Sequence, residues 1–70
     1  MIQSTKGKQK TNKYYLLAST NLQKKDFTSA KSNLLKYLNN NRDYHALNLL
    51  GICYLNLKEH FKAANIFKEL

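Results

Sequence analysis

The sequence predicts an all-α chain of four antiparallel helices, paired as two helix–turn–helix repeats. Three observations carry that expectation. Apolar residues recur three and four positions apart, with no strand-like alternation. No proline interrupts them, and the only glycines are Gly7 and Gly51. Finally, the chain resembles itself at a displacement of 33 residues. Tyr14, Leu17 and Ala18 fall where Leu47, Leu50 and Gly51 stand, and Ala30 and Leu34 fall where Ala63 and Phe67 stand. Tyr37 matches Leu70, and Asp26 matches Glu59. The frame departs at Asn21, where the second copy has Tyr54.

Each element has a local reason. Residues 1–10 hold Lys6, Lys8 and Lys10 among small polar residues, with only Met1 and Ile2 apolar. Such a segment buries too little surface to order itself, so a flexible basic arm is expected. Repeat 1 covers residues 11–42. Its first helix is expected to run from a cap at Thr11 to Gln23, with Tyr14, Leu17, Ala18 and Leu22 as one apolar stripe. Lys24, Lys25 and Asp26 make the turn, and Asp26 caps a second helix over 27–38. Asn39, Asn40 and Asn41 form the loop between repeats, because Asn tolerates the conformations that end helices. Repeat 2 covers residues 43–70 and is shorter at its C-terminal side. Asp43 caps a helix over 44–57 carrying Leu47, Leu50, Gly51 and Tyr54, and a turn at Lys58 and Glu59 leads to a last helix from His60 onward. Inside a helix Gly costs roughly 1 kcal/mol against Ala, so Gly51 needs a packing reason, and close approach of two helix backbones is the expected one.

Leu47-x2-Leu50-Gly51-x2-Tyr54, followed by Ala63-x3-Phe67, resembles the tetratricopeptide repeat, a helix–turn–helix unit of about 34 residues. The resemblance is closest in repeat 2; in repeat 1, Tyr14, Leu17, Ala18, Ala30 and Leu34 follow it with Asn21 as a departure. It implies the start of an α-solenoid whose job is to hold another protein, without catalysis and without a cofactor. It also implies that the first helix of each pair lines a concave groove. The candidate partner-binding residues are then Tyr15, Ser19, Gln23, Asn48, Ile52, Leu55 and Asn56. These amides, a hydroxyl and apolar surfaces suit an extended or helical peptide with apolar anchors. Some members of the family grip a peptide carboxylate with groove lysines; past Lys13 the stretches 14–23 and 44–57 contain no Lys or Arg, so that mode is not expected. The resemblance further implies that the second helix of a repeat continues beyond the place of Leu70. Ile66, Phe67 and Leu70 are therefore expected to be partly unsheltered and to meet either a next repeat or a second copy of the chain, forming a homo-oligomer.

Composition sets the competing readings. Seventy residues make one small domain near the lower limit for a self-sufficient core. The formal net charge of +8 raises nucleic-acid or anionic-surface binding as a third class, after peptide binding and self-assembly. Lys6, Lys8, Lys10 and Lys13 supply half of that charge, and the rest is scattered. Tyr14, Tyr37 and Tyr54 are absorbed by repeat packing, which leaves Tyr15 and Tyr44 as the tyrosines able to stack on a base. Cys53, the single cysteine, reads as a buried structural thiol. With no apolar leader segment and no run of membrane-spanning length, a cytoplasmic protein without membrane contact is expected. The four acids (Asp26, Asp43, Glu59 and Glu69) sit at turns and helix ends, where capping accounts for them. Cys53, His45 and His60 match no metal-ligand spacing, and no phosphate loop or nucleophile elbow is present, so no enzyme is expected.

Overall fold

A computed structural model describes residues 12–70 as four helices: α1 over Lys13–Gln23, α2 over Phe27–Leu38, α3 over Tyr44–Asn56 and α4 over His60–Lys68. Thr11 and the basic arm lie outside the described residues. The cap of α1 is Asn12, not Thr11. Its Oδ1 accepts from the Tyr14 and Tyr15 N–H groups at 2.8 and 3.4 Å. Asp26 caps α2 as expected, accepting from Ser29 N–H at 3.2 Å. Asp43 caps α3, accepting from His45 and Ala46 N–H at 2.9 and 3.2 Å. Only Glu59 departs from the pattern. It holds the N-cap place of α4 but makes no side-chain cap bond.

The repeat is written in the backbone as well as in the side chains. After α1, Lys25 turns left-handed at φ 61°, and after α3, Lys58 does so at φ 66°. Asp26 N–H then donates back to Asn21 C=O at 2.8 Å, and Glu59 N–H to Tyr54 C=O at 2.8 Å. Lys25 N–H reaches Leu22 C=O at 3.0 Å, and Lys58 N–H reaches Leu55 C=O at 3.1 Å. These nested bonds form a Schellman ending, which satisfies the orphan carbonyls of a helix C-terminus. Glycine usually supplies the left-handed residue. Here a lysine takes that place twice, at the same position of each hairpin.

Among the described residues, substantial packing joins only consecutive helices: α1 to α2, α2 to α3, and α3 to α4. The Cα extents of 45 × 26 × 15 Å describe a flat, open row, not a closed four-helix bundle. This order places α3 between two neighbours. It accordingly buries Ala46, Leu47, Leu50, Gly51, Cys53 and Tyr54, whereas α1 buries only Ala18 and α4 only Ala63. Ala30 and Leu34 of α2 complete the centre. Leu17, expected in the apolar stripe, is 47% exposed, while its counterpart Leu50 is 1% exposed. The difference is one of neighbours, since α3 has α2 against it and α1 has no preceding helix among the described residues.

Gly51 has its packing reason, though a different one from backbone approach. A Cβ built there would lie 2.6 Å from Cζ and 2.7 Å from Cε1 of Phe67. The ring of α4 thus fills the space that a side chain would need. In the first hairpin the corresponding pair is Ala18 and Leu34, a larger residue facing a smaller aliphatic one, both buried in the same core cluster. The Asn21 departure is likewise compensated, because Asn33 Nδ2 donates to Asn21 Oδ1 at 2.8 Å. Their counterparts are Tyr54 and Ile66. One hairpin joins its helices there with an amide pair, the other with apolar surface.

Candidate partner-binding surface

The candidate groove residues form two rows. On α3, Asn48, Ile52, Leu55 and Asn56 stand at i, i+4, i+7 and i+8, which places them on one helix face. On α1, Tyr15 and Ser19 stand four apart, and Gln23 continues the row. The rows coincide under the 33-residue displacement, Tyr15 with Asn48, Ser19 with Ile52 and Gln23 with Asn56. No substantial packing joins α1 to α3.

Accessibility separates the members. Leu55 is 44% exposed, and Asn56 is exposed with Nδ2 donating to its own helix at Ile52 C=O, 2.9 Å away. Ser19, Asn48 and Ile52 are half-buried. Tyr15 is not the unengaged aromatic that the sequence suggests. Its ring lies tilted against Tyr37 with centroids 5.2 Å apart, and it packs on the core cluster. Tyr37 in turn donates its hydroxyl to Asp43 Oδ2 at 2.9 Å. Tyr15 is thereby tied through Tyr37 to the start of α3. Tyr44 is 59% exposed, with the Arg42 guanidinium 5.7 Å from its ring centre.

A charged cluster joins the two hairpins, and motif spacing does not reveal it. Lys31 Nζ meets Glu59 Oε2 at 2.9 Å, and Lys62 Nζ meets Glu59 Oε1 at 3.3 Å. Both ammonium groups also lie over the Tyr54 ring, 5.7 and 5.9 Å from its centre. The side chain of Glu59 therefore bridges α2 and α4, which is why it does not cap. The hydrogen bond from Lys31 is the main reason its carboxyl is held below the usual glutamate range. The Glu59–Lys62 spacing could have been read as a helical pair; the link to Lys31 required the fold. Glu69 also pairs, with Arg42 at 3.5 Å. Lysines thus reach the α3 surface at Tyr54, although α3 itself carries none.

Compared with protein-family models, with curated proteins and with solved structures, the chain matches none. What remains is its own geometry. Two surface depressions are lined by none of the row residues: one surrounds the α3–α4 turn at Lys58, Glu59, His60, Phe61 and Lys62, and another is lined by Tyr14, Leu35, Lys36, Asn39 and Asn40. Phe61 is 89% exposed, and the motif spacing does not mark it. The signal was in the frame, because Phe27 aligns with His60 and Phe61 falls one position further round the helix. At the outer end, Leu70 is 53% exposed and Ile66 is half-buried, while Phe67 is committed to Gly51. Cys53 is fully buried, and burial pushes its thiol pKa up. Among the described residues, no three His, Cys, Asp or Glu side chains gather as a metal site, and no helix is long and apolar enough to cross a membrane.

Proposed function

We propose that this chain is a non-catalytic, tetratricopeptide-like protein–protein interaction module of cytoplasmic location, which holds a segment of a partner protein along α1 and α3. The observation that carries the reading is the coincidence of the two rows under one displacement, with Ile52 and Leu55 as apolar anchors beside Asn48 and Asn56. An extended or helical peptide with apolar anchors is the ligand suited to such a surface, with amide side chains meeting its backbone. The Leu47–Phe67 motif spacing supports the same class. A buried thiol in the middle of α3 suits a reducing compartment.

The test is affinity capture from lysate, washed at low and about 0.5 M salt, where the Debye length falls to about 4–5 Å. Wild-type chain is compared with the Ile52→Ala/Leu55→Ala double variant at matched helicity. Tyr15 is left intact, because its contact with Tyr37 makes it a packing residue as well. A protein held through the salt wash by wild type and lost by the variant supports the groove. Equal capture by both refutes it. Recovery of nucleic acid alone, lost in salt, transfers the function to the lysines.

A further inference from the structure

We propose that the chain associates with itself head to tail, α4 of one copy docking against α1 of the next. The template is inside the molecule. Under the 33-residue displacement α2 corresponds to α4 and α1 to α3, so the α2–α3 contact is the same contact that α4 could make with α1 of another copy. Exposure shows which side chains lack that cover. Leu50 is 1% exposed beside α2, whereas its counterpart Leu17 is 47% exposed; Leu49 packs against the core, whereas its counterpart Leu16 is 52% exposed. At the other end, Tyr37 of α2 packs on the core, and its counterpart Leu70 is 53% exposed. Leu16 and Leu17 of α1 thus stand open where their counterparts are covered, and Leu70, just beyond α4, stands open where Tyr37 is covered.

A second copy is the occupant that offers both sides of that contact in the register already used at α2–α3. The contact is heterologous, each molecule using two different faces, so it extends into chains or rings instead of stopping at a two-fold dimer. A net charge of +8 on every copy opposes the approach, and added salt therefore strengthens the association. This inference does not rest on the groove, whose residues take no part in it.

The experiment is sedimentation velocity on the full chain across a concentration series, at about 0.1 and 0.5 M salt. The variants are Leu17→Asp and Leu70→Asp, both at exposed positions, with circular dichroism confirming retained helicity. Wild type is expected to grow in mass with concentration, more so at high salt. Each variant alone is expected to weaken association at least about tenfold. Mixed together, the two variants are expected to form a 1:1 dimer, since each keeps one intact face. Wild type that remains monomeric to about 1 mM at high salt overturns the proposal. Loss of association in Leu70→Asp with none in Leu17→Asp also overturns it, in favour of a two-fold contact at α4.

Discussion

The two left-handed lysines are the residues at which local chemistry is least satisfied. A side chain in this conformation crowds the following carbonyl and costs on the order of 1 kcal/mol or more, which glycine avoids. Lys58→Gly is therefore expected to stabilise the chain by about 0.5–1 kcal/mol, after allowance for the greater freedom of glycine in the unfolded state. In a domain of this size that raises Tm by about 2–8 °C in a thermal melt. A lower Tm would mean that the Lys58 side chain makes a contact worth more than the strain. Gly51 poses the opposite problem. Gly51→Ala gains about 1 kcal/mol of helix propensity but drives a methyl into the Phe67 ring, at an overpacking cost of about 1–3 kcal/mol. The single change is expected to be neutral to destabilising. Combined with Phe67→Leu, which recreates the Ala18–Leu34 pairing of the first hairpin, it is expected to show favourable coupling of at least about 0.5 kcal/mol in a denaturant double-mutant cycle. Simple additivity would show that the two positions do not share one space.

At the scale of elements, Asp43 joins the two hairpins. It caps α3 through the N–H groups of His45 and Ala46 while accepting the Tyr37 hydroxyl from the end of α2. Partial burial works against its ionised form, but the bonds from Ala46, Tyr37 and His45 prevail and hold its carboxyl below the ordinary aspartate range. The same bond, aided by burial, raises the Tyr37 hydroxyl above its ordinary value. The signs fix the pH limbs. Depressed carboxyls at Asp43 and Glu59 contribute stability above about pH 4, and it is lost as pH falls through their folded values. The raised Tyr37 hydroxyl and Cys53 thiol contribute stability that is lost as pH rises beyond about 9–10. Urea unfolding across pH is expected to show both limbs, and Asp43→Asn to flatten the acid one; an unchanged acid slope would place the dependence elsewhere. The turns and caps at Asp26 and Asp43 were legible because short acids before an apolar run have few other uses. The role of Tyr15 was not, since its partner Tyr37 lies on the next helix and periodicity along one helix says nothing of tilt toward another. Ion pairing at Glu59 was hidden for the same reason, because a residue at a cap position looks like a cap until its cross-helix neighbour is known.

For the whole molecule, the consequence of packing only consecutive helices is unequal stability along the chain. Among the described residues, α3 supplies six of the buried residues and touches two neighbours, while α1 and α4 each bury one alanine and touch one. In a closed bundle the terminal helices would protect each other; in this open row they do not. The free energy of local opening follows the apolar contact that opening must break, so it is lowest at the two ends. Repeat architectures share this property, because each unit leans on its neighbour and none is stable alone. Native-state hydrogen exchange is therefore expected to protect the amides of α3 most, then those of α2, with α1 and α4 exchanging faster by at least an order of magnitude at the weakest end. Leu34→Ala, in the helix that links the two hairpins, is expected to cost about 2–5 kcal/mol and to lower protection in all four helices together. Selective loss in α1 and α2, with α3 and α4 still protected, would show that the second hairpin stands by itself. The row would then be two separate hairpins in contact, and the surface proposed to span α1 and α3 would lose its rigid base.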